Sequence, residues 1–110
     1  MKKLIYTLMT IITISSFHAN ADDGVKVLGG NVTCGKWVEE RKQDNASNMQ
    51  LYLIAFVSGY AMGSAKNFLR NIDHEAIYIW TDNYCKSNPT DGLIRAAIVF
   101  KSEMVKKEGL

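Results

Sequence analysis

Cys34 and Cys85 are the two cysteines of this 110-residue chain, and their thiols could form a disulfide, bind a metal or act as nucleophiles. Residues 1–21, which precede both, have the pattern of an export signal, and exported proteins meet oxidising conditions in which two distant cysteines most simply pair with each other. A metal pair or a reactive thiol has less support, because no CxxC spacing occurs and His74 is the one histidine beyond residue 21. We therefore expect a structural Cys34–Cys85 disulfide, which would close a loop of roughly 50 residues and stabilise the fold by about 4 kcal/mol.

His74 lies between Asp73 and Glu75, a composition that could form a small acid–base cluster. At the start of a helix, however, Asp and Glu cap the backbone and complement the helix dipole, and we favour that interpretation here. No HExxH motif accompanies His74, and no second histidine beyond residue 21 could complete a zinc site. We expect no catalytic residue, no metal and no cofactor, so the sequence predicts a protein that is not an enzyme.

Residues 1–21 have the pattern of a secretory signal peptide, with a basic start, a short apolar run and a small-x-small end. The apolar run is too short for a retained membrane anchor, which needs about 20 apolar residues. Cleavage after Ala21 would leave a Gly-rich flexible leader at residues 22–32 and a helical domain at residues 33–110. The pattern predicts a periplasmic protein that has no membrane attachment after cleavage.

The charge of the mature chain is predicted to be balanced, because Lys2 and Lys3 leave with the signal and 11 basic and 11 acidic side chains remain. This balance, without a basic patch, argues against a nucleic-acid partner. In strong acid the carboxylates, whose ordinary pKa values lie at about 4, would become neutral and leave a charge of about +12 with His74 counted. Such a charge repels itself and loosens compact folds.

Four helical segments are predicted, and no strand or hairpin pattern accompanies them. Thr33 can cap the first segment and Asp73 the third, since both side chains can accept a hydrogen bond from an amide in the first helical turn. Apolar side chains recur at spacings of three and four in both segments, which places each cysteine on an apolar helix face. The sequence therefore predicts an all-α fold, a small four-helix bundle with one disulfide.

The fourth segment spans residues 92–107 and is preceded by Asn88-Pro89. Asn88 is predicted to cap this helix and Pro89 to occupy its first helical position, where a missing amide hydrogen costs nothing. The helical spacing predicts one apolar face on this segment, made of Leu93, Ala96, Ala97, Phe100 and Met104.

The second segment is predicted to run from Met49 to about Leu69, and its residues 49–63 are apolar on nearly every side. A helix of this kind belongs in a core or an interface rather than on a wetted surface. Gly59 and Gly63 lie one turn apart and would allow another backbone to approach closely. Trp and Tyr are abundant in the chain and are preferred anchors at protein interfaces, so we expect a protein that binds proteins.

The motifs Thr33-Cys34-x-x-Trp37 and Tyr84-Cys85-Lys86-Ser87-Asn88-Pro89 occur in the first and third segments. With the signal peptide, the mature length and the helical pattern, they resemble the HdeA/HdeB family of periplasmic acid-stress chaperones over roughly residues 33–104. The resemblance implies a homodimer at neutral pH and, in acid, exposure of apolar surface to unfolding protein clients. The client-binding surface that it implies consists of Leu51, Leu53, Ile54, Phe56, Val57 and Tyr60.

The motif Gly59-Tyr60-x-x-Gly63, followed by a helix that ends in an aromatic residue and an Asn-Pro turn, is similar to a second family. This family comprises small periplasmic immunity proteins that neutralise type VI secretion toxins. The second resemblance implies an alternative partner, a single cognate toxin that is bound directly. Neither family is enzymatic.

Overall fold

The computed structural model describes residues 32–110, which form four α-helices. The predicted signal peptide, and all of the predicted leader except Val32, lie outside the described residues. The helices are α1 (Cys34–Lys42), α2 (Ser47–Ser64), α3 (His74–Ser87) and α4 (Leu93–Lys107). The predicted all-α fold with one disulfide is therefore confirmed. Within the described part of the chain, no helix has the length and apolar character needed to cross a bilayer.

The disulfide ties the start of α1 to the end of α3. Cys34 and Cys85 are bonded, their Cα atoms are 4.7 Å apart, and neither side chain is accessible to solvent. The bond joins positions 51 residues apart in sequence, so it constrains most of the folded part of the chain. The predicted pairing is confirmed.

The caps of α1 and α3 follow from their sequences. The Thr33 side chain accepts a hydrogen bond from the Lys36 amide at 3.2 Å, and the Asp73 carboxylate accepts one from the Ala76 amide at 2.8 Å. Each bond satisfies one of the amide hydrogens that the first helical turn leaves without an intrahelical acceptor. Both predicted caps are confirmed.

The α2 helix ends earlier than predicted. It stops at Ser64 because Ala65 adopts a left-handed conformation with a φ of 53°, which ends the helical repeat five residues before the predicted end near residue 69. The connection that follows is not a loose loop, since Phe68 lies within it and is fully buried.

Asn88 ends α3 rather than starting α4, so that part of the prediction is wrong. Its side-chain amide and its backbone amide both donate to the Tyr84 carbonyl oxygen, at 2.9 and 3.0 Å. The carbonyls of Pro89 and Asp91 then accept hydrogen bonds from the Gly35 and Cys34 amides, at 3.0 and 2.8 Å. The Asn-Pro turn is held by the start of α1, whose free amides require acceptors.

The core lies between the helices and uses the predicted face of α4. The α4 residues Leu93, Ala96, Ala97 and Phe100 are buried. Trp37 is the largest fully buried side chain, whereas Trp80 is only partly buried. Trp80 packs edge-on against Phe100 with ring centroids 5.2 Å apart, and its indole N–H reaches Glu103 at 2.9 Å. Trp37 therefore anchors the interior, and Trp80 closes its edge.

Candidate protein-binding surface

Among the four described helices, α2 is the one whose sequence does not indicate which side faces the core. Its 18 residues include no charged side chain, and apolar residues surround its axis. Only Leu53 and Val57 are buried, each with 1% of its surface accessible. Packing against α3 and α4 therefore leaves the opposite side of an apolar helix facing solvent.

The exposed side of α2 carries large apolar side chains at both ends. Leu51 is 69% exposed and Met62 is 84% exposed, and three helical turns separate them, so both lie on nearly the same side of α2. Tyr60, 36% exposed, lies on the opposite side, which packs against α4, and the Lys101 ammonium is 4.9 Å from the centre of its ring, within cation–π range. We call the exposed side of α2, bounded by Leu51 and Met62, the outward face.

The exposed side of α2 also carries small residues. Ala55, Gly59 and Gly63 are exposed, and a Cβ atom placed on either glycine would meet no atom within 4 Å among the described residues. Neither glycine has a positive φ. Glycine in a helix interior costs about 0.8–1.0 kcal/mol relative to alanine, and here no close packing between the described helices explains that cost.

The six residues predicted as a client-binding surface are divided by α2. A helix turns 100° per residue, so a continuous stretch of sequence cannot lie on one face. Leu53 and Val57 are in the core, and Ile54 and Phe56 are partly buried against it. Leu51 is on the outward face, whereas Tyr60 lies on the side that packs against α4, next to Lys101.

A polar clamp joins α1 to α3 beside the disulfide. Asp82 accepts hydrogen bonds from the Trp37 indole N–H at 2.7 Å and from the Arg41 guanidinium, Nη2 to Oδ2, at 2.8 Å. The Arg41 Nε also donates to Asp82 Oδ1 at 3.0 Å, which completes a two-pronged contact. The hydrogen bond with Asp82 raises the pKa of Arg41 above its ordinary value, so the guanidinium stays charged throughout the accessible pH range.

The register of the clamp could have been found in the sequence. The disulfide joins residues 34 and 85 of two helices, and antiparallel packing then places residue 37 opposite 82 and residue 41 opposite 78. The structure has these pairs: Trp37 contacts Asp82, and the Arg41 guanidinium carbon is 5.7 Å from the Tyr78 ring centre. Arg41 and Asp82 were not predicted as a contact, because neither residue belongs to a recognised motif and the pair is 41 positions apart in sequence. A shallow cavity of about 280 Å³ beside the clamp is lined by Val38, Arg41, Lys42, Asp82 and Lys86.

A second polar contact closes the turn after α1. Glu40 is buried, accepts a hydrogen bond from the Asn45 side-chain amide at 2.6 Å and pairs with the Lys36 ammonium at 2.5 Å. The Lys36 hydrogen bond, followed by the one from Asn45, lowers the pKa of Glu40 below its ordinary value. The paired glutamate also raises the pKa of Lys36.

His74 is exposed at the start of α3, where its ring lies 5.8 Å from the Tyr78 ring. Its neighbour Asp73 is engaged as the helix cap, and Glu75 lies 3.9 Å from Arg41. The residues therefore do not converge on one point as an acid–base pair would. Within residues 32–110, no group of three or more His, Cys, Asp or Glu side chains is arranged to hold a metal ion. A groove of about 290 Å³ separates this end of α3 from α2 and is lined by Ser47, Gln50, Leu51, Ile54, His74 and Tyr78.

Comparison of the chain with protein-family models, with curated proteins and with solved structures gives no match.

Proposed function

We propose that the protein is a non-enzymatic, periplasmic protein-binding protein that acts as an acid-stress chaperone and binds unfolding clients through apolar surface. The observation that carries the proposal concerns its polar contacts. Among residues 32–110, every hydrogen bond between two side chains is accepted by a carboxylate; the acceptors are Glu40, Asp82, Asp91, Glu103 and Glu108. Carboxylates in general lose their charge in strong acid, so a single change of conditions acts on this whole class of contacts.

Three of these carboxylates, Asp82, Glu103 and Glu108, join different elements of the fold. Asp82 joins α3 to α1, and Glu103 at the edge of α4 joins Trp80 of α3. Glu108, just after α4, accepts from Arg70 and Asn71 in the connection between α2 and α3. Hydrogen bonds to a charged acceptor are roughly twice as strong as neutral ones, so protonation of the carboxylate weakens each of these contacts between elements. The rising positive charge of the chain acts in the same direction.

The apolar surface needed for client binding is available in two stages. The outward face, with Leu51 and Met62, is exposed in the folded state. Loosening of the helix contacts would add Leu53 and Val57, which now face the core. The disulfide would keep α1 and α3 together in the loosened state, so that α2 and α4 could move away while the chain does not unfold completely.

To test this proposal, the aggregation of an acid-sensitive client enzyme at about pH 3 is measured by light scattering, with and without the mature protein. We expect suppression of scattering at comparable molar amounts of the two proteins. The double variant Leu51→Gln, Met62→Gln should protect less, since glutamine is polar but uncharged at this pH. The matched control is Ile79→Gln, because Ile79 is an exposed residue of α3 (52%) that lies outside the outward face. If the unmodified protein did not reduce aggregation of the client, the proposal would be refuted.

A second candidate function is that of an immunity protein that binds one secreted toxin. It is favoured by the exposure of the outward face in the folded protein, since a specific inhibitor needs its contact surface before any stress occurs. Here the expected result is a complex of fixed stoichiometry at neutral pH with the product of an adjacent toxin gene, measured by co-expression and gel filtration. If that product elutes separately from the protein, the second function is wrong.

A further inference from the structure

The shallow cavity beside the clamp has a positive lining that the balanced charge of the chain does not suggest. It is lined by Val38, Arg41, Lys42, Asp82 and Lys86. Three cations and one carboxylate give this lining a formal charge of +2. The cations come from both α1 and α3, so the packing of the two helices, rather than a run of basic residues, produces the local excess of positive charge.

The Arg41 guanidinium is held in place and keeps donors for a further acceptor. Asp82 accepts from its Nε at 3.0 Å and from its Nη2 at 2.8 Å. The ring centres of Trp37 and Tyr78 lie 5.8 and 5.7 Å from the guanidinium carbon. Within residues 32–110, its Nη1 donates to no acceptor. A guanidinium that is already ordered loses little freedom when it binds another acceptor, which favours binding of an anion here.

The two lysines approach the cavity from opposite ends. Lys42 lies in the last turn of α1 and Lys86 in the last turn of α3, and these helices are antiparallel beside the disulfide. Positive charge is favourable in the last turn of a helix, so both positions also stabilise their helices. Neither ammonium is within 4 Å of a carboxylate of the described residues, and both side chains are exposed. Their hydrogen-bond donors are therefore available to a ligand.

We propose that this cavity binds a phosphate group, carried as a monoester by a small solute or by a lipid headgroup. A phosphomonoester has a charge of about −1.5 to −2 at neutral pH and three acceptor oxygens, which match the net charge of the lining and its three cations. Its oxygens can accept from Arg41, Lys42 and Lys86 in three directions, whereas the two oxygens of a carboxylate lie in one plane. Val38 offers an apolar contact to the carbon atoms that carry the phosphate.

The size of the cavity indicates a small ligand and weak binding. Its volume of about 280 Å³ is slightly below the range of sites for drug-sized ligands. Because the cavity is also shallow, we expect a dissociation constant of about 0.1–1 mM. The site lies between α1 and α3 and uses no residue of the outward face, so the inference goes beyond the proposed function and does not depend on it.

The first experiment is a titration of the isotope-labelled mature protein at neutral pH with inorganic phosphate and with glycerol 3-phosphate, followed by amide chemical shifts at constant ionic strength. We expect saturable shifts at residues 38–42 and 82–86, and binding of acetate at least about tenfold weaker. A second arm is co-sedimentation with phosphatidylcholine vesicles that contain phosphatidic acid, whose headgroup is a phosphomonoester, with pure phosphatidylcholine vesicles as the reference. Binding of the soluble monoester alone identifies a solute as the ligand, and binding of the vesicles alone identifies a lipid. Either result supports the phosphate site, and binding of neither overturns it.

The second experiment removes the cations one at a time. Lys42→Gln and Lys86→Gln should each weaken binding of the phosphate probe that binds at least about threefold, and the double variant at least about tenfold. Lys106→Gln is the matched control, because Lys106 is an exposed lysine in the last turn of α4 and its loss changes the total charge equally. Thermal melts should show all of these variants folded, since none of the three lysines forms an ion pair within the described residues.

Two further results would overturn the phosphate site. One is a loss of affinity in Lys106→Gln as large as that in Lys86→Gln, which would show attraction by total charge alone. The other is tighter binding of a glutamate peptide than of phosphate at the same amides, which would assign the cavity to an acidic segment of a protein partner.

Discussion

The clamp around Asp82 gives the sharpest test of how this fold is held together. Asp82→Asn keeps the size of the side chain but removes its charge, and it places an amide N–H group or a neutral oxygen where the Arg41 guanidinium needs a carboxylate. The Trp37 indole can still donate to the asparagine oxygen, so the variant isolates the contact with Arg41. The expected change is a loss of stability at neutral pH.

The size of this loss follows from the exposure of the pair. Breaking a fully buried ion pair costs about 3–5 kcal/mol, whereas exposed pairs contribute about 0–1 kcal/mol. The side chains of Arg41 and Asp82 are 24% and 20% exposed, so water can partly replace the lost partner. Glu75, at 3.9 Å from the guanidinium, offers a weak second partner. We expect a loss of about 2 kcal/mol in the free energy of unfolding, or roughly 8–16 °C in Tm for a domain of this size.

The assay is urea and thermal unfolding at pH 7, followed by far-UV circular dichroism and tryptophan fluorescence. Asp44→Asn is the matched control, because Asp44 is exposed and its left-handed conformation, with a φ of 53°, suits asparagine. A double-mutant cycle with Arg41→Met should give a coupling energy of about 1 kcal/mol or more between positions 41 and 82. If Asp82→Asn lowered the free energy of unfolding no more than Asp44→Asn does, or if the coupling energy were zero, the contact between Arg41 and Asp82 would not stabilise the fold and the prediction would be wrong.

Three further changes test other parts of the fold. Joint replacement of Cys34 and Cys85 by alanine should lower the free energy of unfolding by about 4 kcal/mol, from the span of 51 residues that the bond joins, and reduction of the native protein by dithiothreitol should give the same urea midpoint. Ala65→Gly should raise Tm, with a gain of up to about 1 kcal/mol, because glycine adopts the left-handed conformation without the strain that alanine bears; an unchanged or lower Tm would contradict this. Glu40 has a folded-state pKa below its ordinary value, so its ionised form stabilises the fold at pH values above the unfolded pKa of about 4.3, and this contribution is lost as the pH falls through the folded pKa. The difference in unfolding free energy between the native protein and Glu40→Gln should therefore shrink below about pH 4.3. The control is Glu39→Gln, at an exposed position, which should change the free energy of unfolding little at pH 7.

Local features of the helices were predictable because their causes are local. The Thr33 and Asp73 caps depend on a side-chain oxygen and an amide three residues later, and such contacts can be inferred from sequence alone. The apolar face of α4 depends on helical spacing, which is equally local. Where a contact comes from another element, the same reasoning fails. Asn88 looks like the start of a helix, yet the turn that contains it is held in place by amides of α1.

The sequence by itself determined an all-α protein with a Cys34–Cys85 disulfide. Capping and helical periodicity act within short segments, and two cysteines leave one simple pairing. Only the tertiary structure decided which side of α2 faces out. An uncharged helix that is apolar all round has no preferred side of its own, so the burial of Leu53 and the exposure of Leu51 were set by where α3 and α4 pack against it.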